Sequence, residues 1–163
     1  METADLSRAD YWESLDAAPD LRFNPVGSGT PQGLVAFVRS EACLRGHVLV
    51  ATSGSEGKAK WVALSKSALL VSARSVNAHL RVTPADRWLC ALPTFHVGGI
   101  GIFARAFLGG NAVDEFSGRW RGRAREFAET CRQKKTTLTS LTPTQVFDLV
   151  AEKITAPESL RAV

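Results

Sequence analysis

The chain has 163 residues, 45% of them hydrophobic, with a formal net charge of +4, enough for one globular domain with a sizeable core but not for two complete ones. Its cysteines, Cys43, Cys90 and Cys131, are widely spaced, with neither CxxC pairing nor metal-ligand grouping, so a disulfide framework is excluded and reduced, mostly buried residues of a cytoplasmic protein are expected. The start Met1-Glu2-Thr3-Ala4-Asp5 is acidic where a secretory leader is basic, and Arg105 interrupts the best apolar run, so neither a leader nor a membrane span is expected.

Residues 1–47 read as a lead-in segment. Asp10 to Leu15 suits a short helix with Tyr11, Trp12 and Leu15 on its apolar side, and Gly27-Ser28-Gly29-Thr30-Pro31-Gln32-Gly33 reads as a flexible linker. The apolar run Leu34 to Val38 is compatible with a strand or with the start of a helix. Val48-Leu49-Val50-Ala51 is short, apolar and partly β-branched, the pattern of a buried strand.

Directly after it comes Thr52-Ser53-Gly54-Ser55-Glu56-Gly57-Lys58-Ala59-Lys60, which crowds hydroxyls, glycines and lysines into one short loop. Glycines lack the Cβ that keeps backbone N–H groups away from an anion, hydroxyls add donors, and lysines add compensating charge, so this is phosphate-gripping chemistry rather than a plain polar turn. Trp61-Val62-Ala63-Leu64 reads as a second strand, placing the loop between strands. The common triphosphatase loop, GxxxxGK[ST] running into a helix, does not fit that spacing.

Ser65 caps a helix expected from about Lys66 to Leu80, with Leu69, Ala73, Val76 and Leu80 at helical spacing. A turn at Thr83-Pro84-Ala85-Asp86 leads into Arg87-Trp88-Leu89-Cys90-Ala91-Leu92, apolar on both faces after Arg87 and so suited to a central strand. A glycine-lined helix from about Gly99 to Leu108 stops at Gly109-Gly110-Asn111, followed by a short strand at Ala112-Val113. Arg121 to Lys135 reads as an amphipathic helix with Ala124, Phe127, Ala128 and Cys131 inward, and Thr136 to Leu141 as a threonine-rich strand. Thr142-Pro143 then opens a helix carrying Val146, Phe147, Leu149 and Val150. Alternating strands and helices imply a layered α/β fold with a largely parallel sheet.

The loop resembles the signature [ST]SG[ST]TGxPKG of the adenylate-forming superfamily of acyl-CoA synthetases, luciferases and adenylation domains, matching it at Thr52, Ser53, Gly54, Ser55, Gly57 and Lys60. It departs at Glu56, Ala59 and Trp61, where the family has threonine, proline and glycine. Leu92-Pro93-Thr94-Phe95-His96-Val97-Gly98-Gly99-Ile100 resembles the family's PLFHxxG segment. The short N-terminal stretch and Lys60-Trp61-Val62-Ala63-Leu64-Ser65-Lys66 are similar to compact o-succinylbenzoate-CoA ligases of menaquinone synthesis.

The resemblance implies that residues 48–163 form part of an AMP-binding domain. It implies ATP-dependent activation of a carboxylic acid, forming an acyl-adenylate and then a thioester with coenzyme A, with Mg²⁺ as cofactor. Thr52, Ser53, Gly54, Ser55, Gly57 and Lys60 would hold the ATP phosphates with Lys58 assisting, while His96, Gly98 and Gly99 border the acid pocket. Ser159-Leu160-Arg161-Ala162-Val163 resembles the approach to a further core strand, and the family's Tyr-Gly-x-Thr-Glu motif and small lysine-bearing domain are missing. The expectation is therefore a fragment that has no catalytic residue or metal ligand of its own, is inactive alone, and either aggregates or needs a partner chain to complete the domain. The alternative is a non-catalytic nucleotide-binding or interaction module that keeps only the phosphate loop. Nucleic-acid binding through Arg119, Trp120, Arg121, Arg123 and Arg125 is the weaker reading, because Glu126 and Glu129 balance a helical face that solvation explains.

Overall fold

A computed structural model describes residues 4–24, 33–52 and 60–163. Helix α1 (Ala9–Glu13) buries Tyr11 and Trp12, and the Trp12 indole donates to the Leu6 carbonyl at 2.9 Å. Leu15, expected on that apolar side, is 50% exposed, because the helix ends at Glu13 and the chain turns before Leu15 can share its face. Strand β1 (Asp20–Arg22) follows, then α2 (Leu34–Ser40), so the ambiguous run at Leu34 is helical. Cys43 sits exposed in a 3-10 turn at Ala42–Leu44, unlike Cys90 and Cys131, which are buried as expected.

β2 (His47–Thr52) and β3 (Lys60–Ser65) form an antiparallel hairpin, and β1 joins the other edge of β2 in parallel. Among the described residues this sheet, β1-β2-β3, is separate from a wholly parallel one ordered β5-β4-β6, comprising β4 (Arg87–Cys90), β5 (Ala112–Glu115) and β6 (Leu138–Ser140). The expected parallel character thus belongs to the second sheet. The first is mixed because the polar loop closes a hairpin, a connection only antiparallel neighbours can use.

Helix α3 (Lys66–Leu80) starts where the cap demands, with Ser65 Oγ accepting from the Ala68 amide at 3.2 Å. Helices α4 (Val97–Gly109), α5 (Ala124–Lys134) and α6 (Pro143–Ala151) complete the chain. Gly110, left-handed at φ 66°, ends α4, and a reciprocal Thr142–Gln145 capping box starts α6. α5 begins at Ala124 rather than Arg121, because Gly122 lies at φ 73° in a turn that helix geometry cannot include.

Alternation along the strands sets the layers. Val48 and Val50 of β2 share a core with Trp88 and Cys90 of β4, with Leu69 and Ala73 of α3 and Ile100 and Phe103 of α4 between them. Leu49 points the other way, onto Leu21 and Val38, while Leu89 packs on Phe127 and Cys131 of α5. Both central strands are therefore buried on both faces, which is why their sequences read as continuous apolar runs. Each large side chain sealed in this way contributes roughly 1.5–3 kcal/mol. Val146, Phe147 and Val150 of α6 are by contrast exposed.

Polar anchors tie distant segments together. Lys66 is buried, its Nζ donating to the carbonyls of Tyr11 at 2.5 Å and Ser14 at 3.2 Å and lying 4.0 Å from the Tyr11 ring centre. Burial lowers the pKa of this ammonium, partly countered by Asp20. Past Leu160 the chain runs beside β6, where Ala162 bridges Leu138 in parallel and the Arg161 amide donates to Thr137 O at 2.9 Å. The basic stretch is largely internally paired: Arg123 with Glu126, Arg125 with Glu152, Arg132 with Glu129 and Lys134 with Asp114. Among the described residues no helix is long and apolar enough to cross a membrane.

Candidate functional site

The hairpin β2–β3 holds the base of the polar loop. Thr52 and Lys60 are direct cross-strand partners, and Thr52 Oγ1 donates to the Lys60 carbonyl at 3.3 Å. Ser53, Gly54, Ser55, Gly57 and Lys58, with Glu56 and Ala59, lie outside the described residues. Trp61 packs edge-on against Phe23 at 5.2 Å and belongs to the cluster under α2. That contact is a packing reason for an indole where the signature has glycine.

The second motif forms the turn from β4 into α4. His96 is the N-cap residue, extended at φ −120° and ψ 149°, with an exposed side chain tilted against Phe95 at 4.6 Å. Its carbonyl accepts from the amides of Gly99 at 3.1 Å and Ile100 at 3.2 Å. Gly99 is buried, and a Cβ there would come within 2.3 Å of the Pro93 carbonyl oxygen and 2.8 Å of that of Leu92. At Gly98 the nearest atom would be the movable Leu92 Cδ1 at 3.0 Å. Gly99 thus lets the first turn of α4 press against the preceding backbone.

A cleft of about 730 Å³ opens beyond the carboxyl ends of β4, β5 and β6. β4 lies between β5 and β6: the crossover through α4 runs from β4 to β5, and the one through α5 returns from β5 past β4 to β6, so the chain reverses direction across the sheet at β4, and ligand crevices of parallel α/β sheets open beyond strand ends at such reversals. Its walls include Thr94 and Phe95 after β4, Phe116 and Trp120 after β5, and Thr144 and Gln145 at the start of α6. Gln145 is fixed, its Nε2 donating to Ala91 O at 3.0 Å and its Oε1 accepting from the Thr142 amide at 2.7 Å. Cys90 is also in the wall, with burial pushing its thiol up to about 11, so it stays protonated and poorly nucleophilic at neutral pH.

The structure therefore brings Phe95 and Thr94 to the cleft, while His96, Gly98 and Gly99 lie next to it in sequence without lining it. Phe116 and Gln145 were missed by sequence reasoning, and Trp120 was read only within the weaker nucleic-acid alternative. Their position just past strand ends was the usable signal. Arg105, read from sequence only as a break in an apolar run, is a largely buried guanidinium of α4. It donates to Ser140 Oγ at 3.0 Å, lies 5.6 Å from the Trp88 ring centre, and has its pKa lowered by burial. No carboxylate pairs with it among the described residues. No group of three or more His, Cys, Asp or Glu side chains among the described residues is arranged to hold a metal ion.

A parallel α/β sheet with a crevice past its strand ends, joined to a hairpin that carries a polar loop, defines a ligand-binding domain of the layered α/β class. The profile of the AMP-binding enzyme family matches residues 47–163, and the chain belongs to that family. It is 32% identical over 118 residues to a 2-succinylbenzoate–CoA ligase of Bacillus velezensis, covering 71% of this chain, and 30% identical over 118 residues to that of Bacillus subtilis. The chain spans 23% of the length of these relatives. Among solved structures it superposes with a TM-score of 0.61 and 31% identity on the Bacillus subtilis o-succinylbenzoate coenzyme A synthetase in complex with ATP and magnesium ion, over 70% of this chain and 23% of that one. The same enzyme bound to its acyl-adenylate intermediate gives a TM-score of 0.62 at 31% identity, again over 70% and 23%.

Proposed function

We propose that this chain supplies the phosphate-binding hairpin and part of the acid pocket of an acid–thiol ligase. The ligase activates a carboxylic acid with ATP as an acyl-adenylate and passes it to coenzyme A. The acid we propose is 2-succinylbenzoate, in menaquinone biosynthesis, with action in the cytoplasm, where ATP and coenzyme A are available. One observation carries this reading: identity of 30–32% to 2-succinylbenzoate–CoA ligases over 118 residues.

The chemistry asks one anion, a carboxylate, to attack the phosphorus of another. Fixed donors and positive charge offset that repulsion. Thr52, Ser53, Gly54, Ser55, Gly57, Lys58 and Lys60 are assigned to the ATP phosphates, and His96, Gly98 and Gly99 to the border of the acid pocket. Mg²⁺, when bound with ATP, supplies further charge neutralisation. Residues 48–163 form the AMP-binding portion in this reading, and residues 1–47 lead into it. The sequence has a single tyrosine, Tyr11, which is buried, so these 163 residues contain no Tyr-Gly-x-Thr-Glu segment. The 163-residue chain is therefore expected to bind ATP without releasing pyrophosphate.

Calorimetric titration of the chain with ATP and Mg²⁺ tests the assignment. Lys60→Ala is expected to weaken ATP about tenfold, the equivalent of about 1.4 kcal/mol, with little effect on folding because Lys60 is exposed. Undetectable ATP binding at millimolar concentration, or equal affinity in the variant, would remove the basis for the loop's role. A rise in melting temperature with 2-succinylbenzoate but not with benzoate would support the proposed acid.

A further inference from the structure

We propose that Gln145 is a positioning residue that fixes the gap between the start of α6 and the turn after β4, and with it the shape of the acid cleft. The inference rests on the ligase reading, in which the segment after β4 belongs to the acid pocket. It adds which side chain holds a second wall of that pocket against this segment.

Two walls of the cleft come from elements far apart in sequence. One is the turn after β4, with Thr94 and Phe95; the other is the start of α6, with Thr142 and Thr144. Gln145 joins them across 54 residues, its Nε2 donating at 3.0 Å to the carbonyl of Ala91, the first residue past β4, while its Oε1 accepts from the Thr142 amide at 2.7 Å. The side chain is 5% exposed, so each of these bonds is costly to leave unmade.

The two partners have opposite polarity, and an amide meets both. A carboxylate of the same length and shape offers acceptors alone. Starting the helix needs just the acceptor, since glutamate serves in a capping box as well as glutamine does. The donor half of Gln145 is therefore surplus to the cap, and the tie to β4 accounts for it.

One turn on, Asp148 Oδ2 accepts from the Trp120 indole at 2.8 Å, and Leu149 packs on the cluster of Leu89, Phe116 and Phe127. Phe116 and Trp120 are cleft walls themselves. The inner side of α6 thus reaches the segments after both β4 and β5, and a shift of the helix would move all of them. With Val146, Phe147 and Val150 exposed on the other side, these inner contacts position the helix.

Gln145→Glu keeps the acceptor for Thr142 and turns the donor into a second acceptor facing the Ala91 carbonyl. Burial against that carbonyl raises the pKa of the new carboxyl, which donates again once protonated. The 163-residue chain and the variant are titrated calorimetrically with 2-succinylbenzoate, and separately with ATP and Mg²⁺, at about pH 7.5 and about pH 5.5. At the higher pH the variant is expected to bind 2-succinylbenzoate about tenfold more weakly than the wild-type chain and ATP within about twofold. At the lower pH most of the lost acid affinity returns. Cys90, Glu115, Arg119 and Arg121 line the cleft and Asp148 shares the inner side of α6, so affinities are compared as the ratio of variant to wild type at each pH, in which these common groups are matched.

Gln145→Met keeps the length without either polar atom, and its loss of acid affinity is expected to be the same at both pH values; it also gives a reading should the glutamate variant fail to fold. Unchanged acid affinity in the variants, a parallel loss of acid and ATP, a loss in Gln145→Glu that acid pH does not restore, or no binding of 2-succinylbenzoate to the wild-type chain would each overturn the inference. ATP binding with acid affinity indifferent to Gln145 rejects the positioning role and leaves the ligase reading standing. Acid binding that depends on Gln145 in a chain that does not bind ATP does the reverse.

Discussion

Asp86→Ala is expected to lower the stability of this protein by about 3 kcal/mol and its melting temperature by about 10 °C. Asp86 is 5% exposed and ties together segments far apart in sequence. Arg161, 75 residues away, donates Nε and Nη2 to its two oxygens at 2.8 Å each. The Thr83 amide donates at 2.8 Å and Thr137 Oγ1 at 2.7 Å. Removing the carboxylate strands those donors and a guanidinium. Arg161 is 38% exposed and can partly rehydrate, so the lower end of the range for a broken buried pair applies. Amide exchange at Thr139 and Ala162, which are joined to each other, is expected to accelerate before the rest of the sheet. A variant melting within about 2 °C of the parent would show that the clamp contributes little.

The same residue sets an acid sensitivity. Arg161's hydrogen bonds, opposed by desolvation and aided by Thr83, Thr137 and the Arg161 charge, hold the Asp86 carboxyl well below the usual carboxylate range. A group depressed in the folded state contributes stability that is complete above its unfolded pKa, about 3.9, and is lost as pH falls toward the folded value. Denaturant midpoints measured from pH 6 downward are therefore expected to fall below about pH 4 in the parent and to fall less steeply in Asp86→Asn.

Gly99→Ala is expected to cost about 3 kcal/mol, near the top of the usual range for overpacking, whereas Gly98→Ala stays below about 1 kcal/mol. The two glycines are neighbours in one helical turn, so helix propensity favours alanine at both. The difference lies in what the new methyl meets. At Gly98 it meets the end of the Leu92 side chain, which can rotate; at Gly99 it meets the carbonyls of Pro93 and Leu92, which cannot move without displacing the turn. That turn carries Thr94 and Phe95 into the cleft, so Gly99→Ala is also expected to weaken whatever ligand the cleft holds. Equal stability of the two variants would show that the α4 start can slide away from β4.

Several elements were legible because local rules settle them. Ser65 and the spacing of Leu69 and Ala73 define α3, Gly110 ends α4, and Thr142, Pro143 and Gln145 start α6 through contacts only a few residues apart. The buried runs at 48–51 and 87–92 announced central strands. The loop at 52–60 is a candidate for phosphate binding on chemistry alone, since glycine, hydroxyl and lysine carry that expectation without any fold.

Other features depended on partners the sequence does not bring near. Leu15 looked inward by helical spacing until α1 stopped at Glu13. The division into a mixed and a parallel sheet follows from which strands pair, and that is decided by packing Val48 and Val50 toward Trp88 and Cys90 across α3 and α4. Residue types and their spacing determined the class of fold, the family and the candidate loop, because those depend on short-range preferences and on side-chain chemistry. Only the tertiary structure decided that Phe95, Trp120 and Gln145 share one cleft and that Asp86 clasps Arg161. Both arrangements are created by the order β5-β4-β6, which long-range burial selects.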